Sequence, residues 1–240
     1  MTRRESDTMQ NTLKKRLRVA GITCVIAVCA VLGYVEIFTK GIDRLPEKPC
    51  AGAVDRDLAA RALPSARKAE ERGKLTTSSA LDTFTFWCYV RTDDSLISGE
   101  AKSGIATLEG WREFKSHKRD ERIYVSSDGI HALTLRDRPD TAWVYVQCTP
   151  PRHVGDRDKG HSLISEARTL GETRAQGNEL RQIVVDFAYR LARHAYEVGE
   201  CQEPREFPDE LPRIGSKELG TASGLHAEGG KGTDLSGPTR

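Results

Sequence analysis

The spacing of apolar residues along this chain changes character twice. Residues 19–38, "VAGITCVIAVCAVLGYVEIF", are apolar on all sides with one formal charge, Glu36, near the end. From residue 83 onward, short runs alternate apolar and polar. From residue 179 the apolar positions recur at three and four. The first pattern predicts a helix of about 30 Å, long enough to cross a bilayer. The second predicts strands, and the third an amphipathic helix packed on them.

Within these regions the elements follow one by one. Val54, Leu58 and Ala62 stand at four-residue spacing in "AVDRDLAARAL", a helix that Pro64 stops. "SARKAEERGKLTTSS" is charged and then rich in Ser and Thr, and reads as a surface excursion. "TFTFWCYV", residues 83–90, sets Phe84, Phe86 and Cys88 on one face and Trp87 and Tyr89 on the other, a well-buried strand with "LISGEA" as its partner. "TLEGWREF" is a short helix, with Leu108, Trp111 and Phe114 three apart. "RIYVSS", "HALTLR" and "TAWVYVQC" are strands joined by the turn signals "SDG" and "DRPD", hence an antiparallel meander. "PPRHVGDRDKG" is a hydrophilic loop, and "HSLISEAR" fits either a strand or the start of a helix.

"NELRQIVVDFAYRLARHAYEVGEC" is the strongest periodic segment. Leu180, Ile183, Val184, Phe187, Ala188, Leu191, Ala195 and Val198 form its apolar stripe, and Asp186 with Arg190 and Arg193 with Glu197 are i,i+4 pairs on the wet side. After Pro204 the composition shifts, and residues 215–240 hold seven glycines and no aromatic residue, which reads as a disordered tail. The expected fold class is α+β: a mostly antiparallel sheet with a long C-terminal helix packed on it, preceded by one transmembrane helix.

Charge supplies an orientation for that first helix. Residues 1–18 carry Arg3, Arg4, Lys14, Lys15, Arg16 and Arg18 against Glu5 and Asp7, a net of +4. The far flank, with Lys40, Asp43, Arg44, Glu47 and Lys48, nets +1. The positive-inside rule then places the N-terminus in the cytoplasm and the rest outside, in a single-pass membrane protein. A cleaved signal peptide is the other reading of the segment. "VCA" at 28–30 has small residues near a cleavage position, although "VLGYVEIF" continues the apolar run beyond it. The expected organisation is a basic stub (1–18), a transmembrane helix (19–39), a tether (40–49), an extracytoplasmic domain (50–210) and a glycine-rich tail (211–240). The lipid bilayer is the first expected partner.

The cysteines divide along the same line. Cys24 and Cys29 lie in the apolar run, where a thiol is a small hydrophobe. Cys50, Cys88, Cys148 and Cys201 are even in number, widely spaced and free of CxxC motifs, which predicts two structural disulfides in an oxidising compartment. Of the three possible pairings, Cys50 with Cys88 and Cys148 with Cys201 each join a helix-flanking cysteine to one inside a strand-like run.

Candidate chemistry is sparse. GxSxG, phosphate-loop, HExxH and cysteine-knuckle motifs are absent. His153, Asp156, Asp158 and His161 form a cluster in "HVGDRDKGH", but Arg152, Arg157 and Lys159 interleave it, and the calcium-loop spacing fails. We therefore assign no catalytic, cofactor-binding or metal-ligating residues. His194 reads as a packed or rim histidine, and Trp87, Trp111 and Trp143 as core. A groove with an exposed tryptophan would indicate glycan or peptide binding. The region from Lys40 onward nets about −1, so the basic footprint of a nucleic-acid binder is missing.

"CAGAVDRDLAARALP", "FTFWCYV" and "GETRAQGNELRQIVVDFAYRLARHAYEVGEC" resemble the uncharacterised membrane-anchored or secreted proteins of Streptomyces and related actinobacteria, over about Cys50 to Pro204. The resemblance implies a bacterial cell-envelope location and carries over no site residues. The expected function is a membrane-anchored, non-enzymatic interaction module contacting an envelope protein or cell-wall component. The alternative is an envelope hydrolase or metal-dependent enzyme with a dispersed site.

Overall fold

A computed structural model of the chain describes residues 3–38, 40–78, 82–114, 122–151 and 160–214. Two three-stranded meanders build one antiparallel sheet. The first comprises β1 (Ala69–Ser78), β2 (Thr83–Thr92) and β3 (Ser95–Ile105); the second comprises β4 (Arg122–Ser127), β5 (Ile130–Leu135) and β6 (Thr141–Gln147). β7 (His161–Gly171) enters between them, giving the order β1-β2-β3-β7-β6-β5-β4. In the β4–β5 hairpin Ser127 pairs with Ile130, and Asp128 and Gly129 take φ of 50° and 76°. That is the backbone a two-residue type I′ turn demands, and "SDG" supplies it.

One face of the sheet is the core. Phe84, Phe86, Cys88 and Val90 of β2, Ala132 of β5, Val144 and Val146 of β6, and Leu163 and Ala167 of β7 are buried there. The long helix α4 (Gly177–Val198) covers them, with Ile183, Val184, Phe187, Leu191 and Ala195 fully buried. Each large apolar side chain hidden this way contributes about 1.5–3 kcal/mol. α4 comes close because the strands beneath it are lined with small residues. A Cβ on Gly99 would lie 2.8 Å from the Leu191 Cδ2 atom, closer than real contacts permit. The short helix α2 (Arg56–Ala62) packs Leu58, Ala59 and Ala62 into the same core.

The disulfides join Cys50 to Cys88 and Cys148 to Cys201. The first fastens the segment before α2 onto the middle of β2. Gly73 of β1, opposite Cys88, makes room for it: a Cβ there would stand 2.5 Å from the Cys50 backbone. The second ties the end of β6 to the turn after α4. Beyond it the chain continues along α4, where Tyr196 and Tyr189 donate hydrogen bonds to the Glu203 and Pro208 carbonyls. Leu211 is buried, and the Ile214 N–H donates to the Gln182 side chain at 2.8 Å. Ordered packing thus runs past the expected boundary at residue 210, while residues 215–240 lie outside the described residues.

Several sequence expectations need correction. The segment taken as a surface excursion contains β1, a ten-residue edge strand. "HSLISEAR" is strand, the inner strand β7. Asp186 does not pair with Arg190: Gln182 donates to Asp186 at 2.7 Å, and Arg190 turns to Asp55 at 3.9 Å. Arg193 and Glu197 do meet, at 3.3 Å.

The largest correction concerns the N-terminal helix α1 (Arg3–Phe38). Near its end Glu36 is ion-paired to Lys40 at 2.6 Å, and the Arg44 guanidinium donates to the Glu36 carbonyl. Among the described residues, no helix is long and apolar enough to cross a membrane. The transmembrane assignment to 19–39, the signal-anchor, the lipid bilayer as partner and the single-pass location with a cytoplasmic N-terminus and extracellular domain are all withdrawn on this finding.

Candidate binding groove on the open sheet face

Side chains on the sheet face opposite α4 align in rows across the strands, because paired residues of an antiparallel sheet project to the same side. One row reads Lys74, Trp87, Glu100, Glu166, Trp143, Leu133, Tyr124 from β1 to β4. The row on one side reads Arg72, Tyr89, Ser98, Arg168, Thr141, and that on the other Thr76, Thr85, Lys102, Ile164, Tyr145, His131.

The helix α3 (Leu108–Phe114) covers only the β4–β6 end of this face. It buries Trp111 against Leu133, Trp143 and Tyr145, a second and smaller core. Tyr145 anchors the approach to α3 by donating to the Ala106 carbonyl at 3.1 Å. Over β2, β3 and β7 no such cover exists among the described residues. There the face forms an open groove of about 580 Å³, lined by Trp87, Tyr89, Glu100, Lys102, Ile164, Glu166 and Arg168 among others.

The groove combines three kinds of surface. Trp87 and Tyr89 stand parallel and stacked along β2, at 8° with ring centroids 6.0 Å apart. The Arg72 guanidinium sits 5.9 Å from the Trp87 ring on the β1 side. At the centre Glu100 stands directly opposite Glu166. The indole N–H of Trp143 donates to one Glu166 oxygen at 2.8 Å, which fixes that carboxylate from the α3 side. Lys102 and Arg168 flank the pair, one step away along β3 and β7 in opposite directions across the groove. Near the start of β7 Ser162, also in the groove lining, is fully buried, and its hydroxyl has no hydrogen-bond partner among the described residues. An orphaned hydroxyl facing a groove is the sort of group a ligand satisfies.

A second polar cluster lies under the end of α3. Arg112 donates to the Tyr124 hydroxyl, which is also hydrogen-bonded to Nδ1 of His131. Burial, with the cations Arg112 and Arg205 adding to it, pushes the His131 imidazole down to about 4. The same burial raises the Tyr124 and Tyr145 phenols. Here the imidazole is neutral at physiological pH and the phenol is held between a donor and an acceptor, a packed hydrogen-bond chain rather than an open site.

The residues singled out from sequence are distributed as follows. His153, Asp156 and Asp158 lie outside the described residues, and His161 is buried at the start of β7. Among the described residues no three His, Cys, Asp or Glu side chains converge as metal ligands. The metal-dependent alternative therefore has no site in the described structure, and the envelope-anchored interaction module loses the anchor it was built on. His194 packs edge-on against Phe86, centroids 4.7 Å apart, and burial lowers its pKa. Trp111 and Trp143 are core, whereas Trp87 is half-exposed at the groove. Sequence reasoning passed over Glu100, Lys102, Glu166 and Arg168. Their signal was present in "SGEAK" and "SEAR", where charged residues alternate with Gly99 or Ala101 and with Ser165 or Ala167.

No protein-family model, curated protein or solved structure matches this chain.

Proposed function

We propose that this domain binds a short saccharide in the groove on the open sheet face. The observation that carries the reading is the row Trp87–Glu100–Glu166–Trp143 across four neighbouring strands. The half-buried Trp87, with Tyr89 stacked beside it, offers an aromatic surface to the C–H face of a sugar ring. The carboxylates and the Lys102 and Arg168 side chains supply charge-assisted hydrogen bonds to hydroxyls. A few polar groups converging beside an apolar wall is the usual construction of a small-molecule site, and the groove volume is in the usual range.

The strand pairing supports a sugar over an extended peptide. β2, β3, β7 and β6 are each paired on both sides, so their backbone donors and acceptors are already used. A peptide that recognises a sheet by strand addition needs a free edge. This groove presents side chains alone.

Intrinsic tryptophan fluorescence of the full chain, titrated with glucose and glucosamine disaccharides, tests the proposal. Saturable quenching is expected, and Trp87→Ala should abolish it while leaving the far-UV circular dichroism spectrum intact. A signal that survives in Trp87→Ala would place the sugar elsewhere, and no saturable signal with any saccharide would refute the reading.

A further inference from the structure

On the α4 side of the sheet, apart from the groove, Arg181 is a buried cation without a counter-ion, one turn inside α4. We propose that the N-terminus of α4, with Arg181 beneath it and Arg136 beside it, binds a phosphate, free or as the terminal group of a small molecule.

Arg181 carries the argument. Its side chain is 5% exposed, and an arginine is almost never buried so far unless a partner offsets its charge. Burial, with the nearby Arg136 guanidinium adding to it, lowers its pKa, and no carboxylate among the described residues opposes them. Its hydrogen bonds go to neutral acceptors, the Asn178 side-chain oxygen and the Arg136 carbonyl, the latter at 2.8 Å. These use two of the five N–H groups of a guanidinium, and the buried Nε–H has no acceptor among the described residues.

The start of the helix gives a second, independent reason. Long side chains on a helix lean toward its N-terminus, and the bond to Asn178 sets the Arg181 guanidinium against the first turn. That turn is uncapped. Gln176 has the extended backbone of an N-cap, φ −139° and ψ 164°, but its side chain makes no capping bond. The first intrahelical bond runs from the Leu180 N–H to the Gln176 carbonyl at 3.4 Å. The N–H groups of Gly177, Asn178 and Glu179 are therefore left without an acceptor among the described residues. A Cβ on Gly177 would meet nothing within 4 Å, so the space beside the turn is open. Glu179 is the acidic residue of the first turn; it is exposed and ion-paired to neither arginine. Orphan N–H groups and the positive end of the helix favour an anion. Two guanidiniums and three N–H groups are matched best by a phosphate, with several acceptor oxygens and close to two charges.

Calorimetric titration of the full chain with inorganic phosphate and with glycerol phosphate, against sodium chloride at equal ionic strength, tests the site. Saturable binding of phosphate is expected, with none for chloride. Binding of glycerol phosphate alone would assign the site to a carried phosphoryl group, and equal binding of both to the free anion. Because Arg181 also ties the β5–β6 turn to α4, two exposed positions carry the test. Arg136→Ala should weaken phosphate binding about tenfold, the size of one charge-assisted hydrogen bond. Gln176→Asp places a carboxylate at the N-cap, where it takes the orphan N–H groups itself. It should abolish phosphate binding and raise the urea midpoint in phosphate-free buffer. No saturable binding of either phosphate to the native chain would overturn the proposal, as would unchanged affinity in both variants.

Discussion

Glu100 on β3 and Glu166 on β7 are cross-strand partners, and their carboxylates project from the same face of the sheet. Tryptophans flank the two on either side. Like charges at directly opposed positions of antiparallel strands disfavour a sheet, so Glu100→Gln should stabilise the ligand-free chain by about 0.2–1 kcal/mol. Urea unfolding without ligand reads this directly, and a clear loss of stability would show that the carboxylate is structurally required.

The α4–sheet interface should be the most sensitive part of the fold. Phe187→Ala is expected to cost about 3–5 kcal/mol and Leu191→Ala about 2–5 kcal/mol, since both are fully buried and leave cavities that refill poorly. Arg193→Ala, on the wet side, should stay within about 0.5 kcal/mol. Denaturant midpoints at unchanged slope are the measurement. Near-neutral effects for both core variants would mean that the stripe is not packed as described.

Gly99 gives a test in the opposite direction, by overpacking. Gly99→Ala adds one methyl group against the Glu166 carbonyl and Leu191, each 2.8 Å from the new Cβ. The helix must shift, at a cost of about 1–3 kcal/mol. Because Gly99 neighbours Glu100, sugar affinity should fall with it. Thermal unfolding and titration on the same sample report the two effects.

Each disulfide closes a long loop, with 38 residues separating Cys50 from Cys88 and 53 separating Cys148 from Cys201. On the chain-entropy account, each constrains the unfolded state by about 4 kcal/mol. Replacing either pair by Ala should lower the unfolding free energy by about 2–5 kcal/mol. Non-reducing peptide mapping should recover the two bonds as described, and a Cys88–Cys148 peptide would contradict the structure.

His131 predicts a pH dependence. Its folded pKa lies at about 4, below its ordinary value of 6.5. Between those values the unfolded chain binds a proton that the folded chain refuses, so stability rises with pH across that window. The stability lost on acidification is complete once pH falls below the folded pKa. Because the ring is half-exposed, solvent screening keeps the effect modest. His131→Gln should flatten the slope between about pH 6.5 and 4, as followed by urea midpoints. An unchanged slope would assign it to other groups, with His194 the next candidate.

Much of the architecture was legible in the chain because periodicity is a local property. The stripe from Leu180 to Val198 needs only a helix to become one face, and "TFTFWCYV" or "TAWVYVQC" needs only a strand. The antiparallel meander followed from "SDG" and "DRPD", and four cysteines outside the apolar run announced two bonds. What was missed required a neighbour. β1 is an edge strand whose Gly73 exists to admit the Cys50 backbone, so its sequence carries charge and a glycine where a strand pattern would show apolar residues. "HSLISEAR" became strand because β3 and β6 both needed a partner. Trp87 and Trp143 look alike in sequence; α3 covers one and leaves the other at a groove. The membrane assignment for residues 19–38 rested on the length and apolar character of one run and on the charge of its flanks, and no helix among the described residues is long and apolar enough to sustain it.

The sequence by itself therefore determined which residues could share a face: alternation sorts each strand and the three-four spacing sorts α4, through backbone geometry alone. Only the tertiary structure decided which faces meet. Strand order and register brought Glu100 to Glu166, from segments more than sixty residues apart along the chain. The placement of α3 over one end of the sheet left the other end open. A site made by pairing distant strands is invisible to local spacing, because its defining distance is measured across the sheet and not along the chain.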